Sequence, residues 1–264
     1  MKIKDRAIVK ALFLILMGTF LQYWVIGLIP FHKLPISQFW QVILLRTFST
    51  MLSLGAIWFF CPHAVSRITA RMERKKIGIC ILIIAFLLTP SFIGSQILNF
   101  HFSQILQGLV FALFIGIDEE FFSRGFIYGA LEGYGVGIAA TVSALHFGLL
   151  HLGNIFWGGQ SVSYTSSQVI GAAAFGYLAA ALMIFSGTIW IPILMHGLSD
   201  SPMQFESTSQ FTKEVTGTAN WSATLVQALF YIILGFILIY MSNINTRLKF
   251  NNLIRRFGLV DAEG

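Results

Sequence analysis

Three short groups of residues hold most of the chemistry this chain can offer. The first is Asp118-Glu119-Glu120-Phe121-Phe122-Ser123-Arg124, three acids and an arginine set between apolar runs in a chain where 11% of residues are charged. A charge inside a bilayer costs roughly 2.5 to 3.5 kcal/mol on insertion scales, so it persists mainly where it serves a site. Glu120 and Arg124 are four apart with the acid N-terminal, the better order for a helical ion pair. Glu119 lies about 100° round the helix from Glu120 and is left free by that pairing, a carboxylate available for general-base work. The second group is His146 and His151, five apart and so on different faces of one helix. The third is His196 and Asp200, four apart on one face, where the carboxylate can fix the imidazole's tautomer.

Each group has a plain structural explanation when taken singly: an ion pair offsetting its own burial, or a histidine hydrogen-bonded in the packing. Together with Asp118 and Glu132 they make up all the acidic and basic residues between positions 104 and 200. That clustering points to a shared site.

The elements that must position these groups are membrane helices. With 264 residues, 56% hydrophobic and 15% aromatic, and a mean hydropathy of +0.77, the chain has more apolar surface than a water-soluble globule can hide. The expected fold is all-α: one polytopic membrane helix bundle over residues 1–264, with about eight transmembrane helices. The net charge of +6 sits in short clusters at the ends of apolar runs, which is the pattern of cytoplasmic loops and argues against a nucleic-acid partner. Cys61 and Cys80 are too few for a disulfide framework.

Lys2, Lys4, Arg6 and Lys10 precede an apolar run from 8 to 29, too long for a signal-peptide core, which reads as a retained first span. The second span, 39–60, contains Arg46, read as snorkelling to the nearer surface with no partner evident. The third, 77–97, should kink at Pro90. A fourth runs from about Gln104 to Asp118, a fifth from Val136 to Leu152, then a polar loop over 153–167, a sixth from Gln168 to Phe185, and a short seventh from Thr188 to Leu198. The last covers 223–241, after a polar segment over 205–220. Gly125, Gly129 and Gly133 recur every four residues, which suits either a close helix contact or, with Gly135 and Gly137, a turn. Arg67, Arg71, Arg74, Lys75 and Lys76 form the densest basic loop, and Arg247, Lys249, Arg255 and Arg256 make a basic tail. The positive-inside rule puts both, with the N-terminus, in the cytoplasm, as an even number of crossings requires.

Glu119-Glu120-x-x-x-Arg124-Gly125, then Phe147-x-x-x-His151, then His196-x-x-x-Asp200, in that order, resembles the three motifs of the CPBP family, also called Abi, which includes CAAX prenyl endopeptidases and bacteriocin-processing and self-immunity proteins. The resemblance covers roughly Gln104 to Ser201. It implies a multi-pass intramembrane endopeptidase of the cell membrane acting, without a cofactor, on a hydrophobic or membrane-associated peptide. By the same resemblance Glu119 activates the hydrolytic water and His151 helps to hold it, Glu120 and Arg124 position the first motif, and His196 and Asp200 stabilise the oxyanion. His146 matches no motif position.

One departure from the family pattern matters: the last position is often Asn and here is Asp200. An amide donates to an oxyanion and an ionised carboxylate does not, so Asp200 is either protonated or acts through His196. A zinc protease with Glu119, His151 and His196 as ligands is the second reading, although no local ligand spacing supports it. The rivals from other classes are a transporter or proton-coupled channel, which would want broken helices in both halves, and a non-catalytic immunity or scaffolding protein.

Overall fold

The computed structural model describes residues 3–20, 28–70, 73–94, 99–156, 159–205 and 219–242, and no strand occurs among them. Part of the expected first span (21–27), Arg71, the end of the third span (95–97), most of the polar segment before the last span (206–218) and the basic tail lie outside the described residues.

Among the described residues eight helices of 15 residues or more follow one another: α1 (Ile3–Phe20), α2 (Gln38–Phe60), α3 (Arg74–Gly94), α4 (Phe102–Glu120), α5 (Val136–Leu150), α6 (Val162–Ser186), α7 (Trp190–Phe205) and α8 (Trp221–Ser242). The molecule is an all-α membrane bundle. Among the described residues five stretches are long and apolar enough to cross a bilayer: α2, α3, α5 extended to Phe156, α6 and α8. The others fall short for visible reasons: α1 carries Lys4, Asp5, Arg6 and Lys10, α4 ends in three acids, and α7 has 16 residues.

Two expected boundaries are corrected. The fourth span does not stop at Asp118. The chain continues without a break through a π-helical stretch, Phe121–Ile127, and a last α-turn, Tyr128–Leu131. The acidic stretch therefore sits well inside one rod running from 102 to 131. Glu119 and His151 then lie about equally far from the turn at 132–135 that joins α4 to α5, some 20 Å up each arm at 1.5 Å per residue.

The sixth helix begins at Val162, not Gln168, because the Ser161 side chain caps it by accepting from the Tyr164 amide (3.2 Å). The Ser- and Thr-rich start that looks like loop is its first turns. Its far end closes on Gly187 at φ +80°, a left-handed conformation that suits glycine, and the chain turns straight into α7. Pro90 falls inside a helix assigned without interruption to Gly94.

The small-residue repeat divides between its two readings. A Cβ on Gly125 would strike Ile57, and one on Gly129 would lie 3.2 Å from the Cβ atoms of Cys61 and Ala64, so these two let the rod close on the end of α2. Gly133 has open space and belongs to the turn.

The contact that matters most for the site is between α4 and α7. A Cβ on Gly116 would stand 2.9 Å from the Gly197 amide nitrogen and 3.0 Å from the Ile193 carbonyl, and one on Gly197 would stand 3.3 Å from the Ala112 carbonyl. Backbone meets backbone here. Because Gly116 is one turn before Glu120 and Gly197 follows His196, the close crossing carries the acids of α4 to the histidine of α7.

Candidate active site

His196 is the hub. Its ring is buried and lies edge-on to Phe147 (centroids 5.6 Å apart) and Phe175 (5.3 Å). Nδ1–H donates to Glu120 Oε1 at 2.8 Å, which fixes the proton on that nitrogen. Nε2 faces two further carboxylates, Glu119 Oε2 at 3.8 Å and Asp200 Oδ2 at 3.5 Å. Asp200 Oδ1 accepts from the Ser199 hydroxyl at 3.2 Å.

Glu120 and Arg124 pair at 3.2 Å as the four-residue spacing predicts, and both are fully buried. The guanidinium also lies over the Phe147 ring, 4.6 Å from its centroid, a cation–π contact that strengthens away from water. Gly176 on α6 makes room for it, since a Cβ there would stand 2.8 Å from Arg124 Nη2. His151 ends α5 with its Nδ1–H donating to the Phe147 carbonyl (3.0 Å), which leaves Nε2 able to accept, and its ring packs edge-on to Phe147 at 5.1 Å. Phe147 thus touches His151, His196 and Arg124 at once.

Glu119 is not free. Arg46 Nη1, from α2, donates to Glu119 Oε1 at 3.1 Å and to Asp118 Oδ2 at 2.9 Å, and the Ser49 hydroxyl donates to Asp118 Oδ1. The snorkelling reading of Arg46 is therefore corrected: its partners are 72 and 73 positions away, beyond any local pattern. One Glu119 oxygen is anchored on Arg46 and the other turned toward His196.

His146 lies apart from this group. Thr19 has given its hydroxyl proton to the Ile15 carbonyl (2.8 Å), so His146 Nε2–H donates to Thr19 Oγ1 (2.8 Å), and the histidine ties α5 to α1 beside Phe122.

Site residues that the motifs did not supply are Asp118, Ser49, Arg46 and Gly176. The first stood in the acidic run and the third was a visible intramembrane charge; Ser49 and Gly176 carry no signal in sequence. Four carboxylates (Asp118, Glu119, Glu120, Asp200) face two guanidiniums (Arg46, Arg124). Buried charge is tolerated when it is paired, as each of these carboxylates is with an arginine or with His196. Among the described residues no three His, Cys, Asp or Glu side chains gather as a metal-ligand set.

The arrangement offers a carboxylate held by an arginine, a histidine nitrogen facing it at 3.8 Å, and a surround of aromatic rings. Residues 101–201 match the model of the family described as type II CAAX prenyl endopeptidase Rce1-like, the family that the three motifs resemble. No curated protein and no solved structure matches the chain. The matched segment runs from the start of α4 into α7, and holds every site residue named above except Arg46 and Ser49 on α2.

Proposed function

We propose that this protein is an intramembrane endopeptidase in which Glu119 is the general base. The observation that carries the reading is the setting of Glu119: Oε1 held by Arg46 at 3.1 Å, Oε2 turned to His196 Nε2 at 3.8 Å. A water hydrogen-bonded to both loses its proton to Glu119 as its oxygen adds to the peptide carbonyl. The oxyanion that forms takes a hydrogen bond from Nε2–H of His196 acting as an imidazolium, with its other proton held on Nδ1 by Glu120 and its charge offset by the carboxylates around the ring. Glu119 then passes its proton to the leaving amine, and the C–N bond breaks. Asp200 acts through His196 rather than on the oxyanion, which fits a carboxylate where the family often has an amide. Arg124 and Asp118 are positioning residues, the one behind Glu120 and the other beside Arg46, and His151 helps to hold the water. The substrate is a hydrophobic or membrane-associated peptide, and the protein resides in the cell membrane with both termini cytoplasmic.

Glu119→Gln keeps size and most packing but removes the base. Cleavage of a hydrophobic peptide panel by the purified protein should fall by about 10² to 10⁴-fold, the range of general-base loss, with the variant still accumulating in the membrane. Undiminished cleavage, or none by the wild type, sinks the proposal. The reaction as drawn uses no ion, so cleavage should survive chelation. A chelator-sensitive rate restored by zinc would favour the metal mechanism, in which the ion supplies the activated water.

A further inference from the structure

Behind α7, a groove of about 960 Å³ runs between that helix and α3. Ile81, Ile84, Leu88 and Phe92 of α3 line it at three- and four-residue intervals, so they form one stripe down the helix, and Leu194 and Leu198 of α7 form the other wall. Leu194 and Leu198 are each two residues from His196, about 200° round α7, so the groove and the site lie on opposite faces of one helix. The lining side chains are apolar apart from Asn99 and Thr89, and the Thr89 hydroxyl already donates to the Ala85 carbonyl at 2.6 Å. An extended peptide laid here would strand its amides against carbon, whereas a hydrocarbon chain asks for no hydrogen bond.

The stripe has a charged head. Arg74, the first residue of α3, is two turns before Ile81 and falls on the same stripe, with Lys75 and Lys76 beside it. Glu73 offsets Lys76 at 3.2 Å, whereas Arg74 and Lys75 are exposed and meet no carboxylate among the described residues. Cations gathered at a helix N-terminus add to the positive end of the helix dipole, and the two together favour an anion. α7 starts from the same end: the Ile189 amide donates to the Arg67 carbonyl (3.2 Å), and the Trp190 indole N–H donates to the Ile68 carbonyl (2.9 Å). Both walls thus descend from a surface marked by an indole and basic residues, the pattern of a membrane–water boundary. From Ile81 to Phe92 is about 17 Å of helix at 1.5 Å per residue, close to the ~15 Å of hydrocarbon in one leaflet. Arg74 stands about 10 Å before Ile81, where the headgroups of that leaflet lie.

We infer that an anionic phospholipid of the bilayer seats here, with one acyl chain in the α3–α7 groove and its phosphate on Arg74 and Lys75, and that it braces α7 from the face opposite His196. α7 meets α4 backbone to backbone at Gly197 and Gly116, so a chain packed behind Leu194 and Leu198 presses that crossing closed. A zwitterionic lipid can fill the groove with the same hydrocarbon, but it brings its own cation to the basic head and gains less there. The chain's own tail, with Arg247, Lys249, Arg255 and Arg256, has the wrong charge for it. The inference holds whatever the role of Glu119, and its test reads binding and stability rather than proteolysis.

The purified protein in a neutral detergent is titrated with dioleoyl phosphatidylglycerol and, separately, with dioleoyl phosphatidylcholine, and lipid retention in native mass spectrometry is read beside the melting temperature. Two cations at roughly fivefold each should make phosphatidylglycerol bind about 20-fold more tightly, and it should raise the melting temperature at concentrations where phosphatidylcholine does not. Arg74→Gln, a change at an exposed position, should lower that affinity about fivefold. Ala85→Phe puts a ring into the groove and should abolish retention, whereas Leu82→Phe, exposed on the same helix but outside the groove, should keep the wild-type response. Equal retention of the two lipids by the wild type overturns the inference, as does an undiminished preference in Arg74→Gln. Retention that survives in Ala85→Phe also overturns it, since the basic end alone would then hold the lipid. Inorganic phosphate should leave the melting temperature unchanged; a rise with phosphate equal to that with phosphatidylglycerol would assign the basic end to a free anion and remove the lipid.

Discussion

Arg46 holds two carboxylates with one nitrogen, and this makes it the residue whose loss should separate stability from chemistry. Arg46→Gln leaves Asp118 buried, still accepting from the Ser49 hydroxyl, and leaves Glu119 without its anchor. Because Arg46 is 28% exposed, the destabilisation should be on the order of 1 to 3 kcal/mol, the range for stranding a buried polar group. Adding Asp118→Asn should restore part of the melting temperature in detergent while cleavage stays low. Full cleavage by the single variant would show that Glu119 does not depend on this anchor. At this scale the motif residues were legible because a helix repeats every 3.6 residues, so Glu120 with Arg124 and His196 with Asp200 announce themselves. Arg46 with Glu119, and His196 with Glu120 across 76 positions, did not, since a contact between helices leaves no local spacing to read.

Among the elements, the α4–α7 crossing sets the distance across which Glu120 and Glu119 meet His196. Gly116→Ala would put a methyl 2.9 Å from the Gly197 nitrogen, against backbone that cannot rotate away, so the helices must separate. Overpacking of this kind costs about 1 to 3 kcal/mol. The expected result is a lowered melting temperature together with reduced cleavage, whereas Gly133→Ala, which meets nothing within 4 Å, should change neither. Equal behaviour of the two variants would contradict this account of the crossing. The sequence reading ended α4 at its charges because charge ordinarily marks a membrane surface. Here the acids are met by Arg46, Arg124 and His196 inside the bundle, so the helix runs on past them. The π-helical stretch was illegible for a related reason: a 3.6-residue periodicity search presumes the geometry that Phe121–Ile127 departs from.

Over the whole molecule, the run of eight long helices among the described residues follows the apolar pattern closely, and the orientation expected from the positive-inside rule is open to a direct test. Reporter fusions after Ser242 and within 30–37 should read as cytoplasmic and extracytoplasmic respectively; the opposite result would invert the bundle. The burial of the α4 charges among other helices has a bearing on how the protein is made. Three acids and an arginine in one helix sum to about 10 kcal/mol against entry into lipid, and apolar residues return only about 0.3 to 0.6 kcal/mol each. α4 is therefore a poor candidate for leaving the translocon alone. Arg46 is already synthesised when α4 emerges, but His196 comes some 76 residues later. Final integration of the helix should await it. A nascent chain truncated at Gly187 should show α4 accessible to protease or to a glycosylation acceptor placed beside it, and one extended through Phe205 should not. The helix that carries the acids should become a membrane span only once α7 has been made.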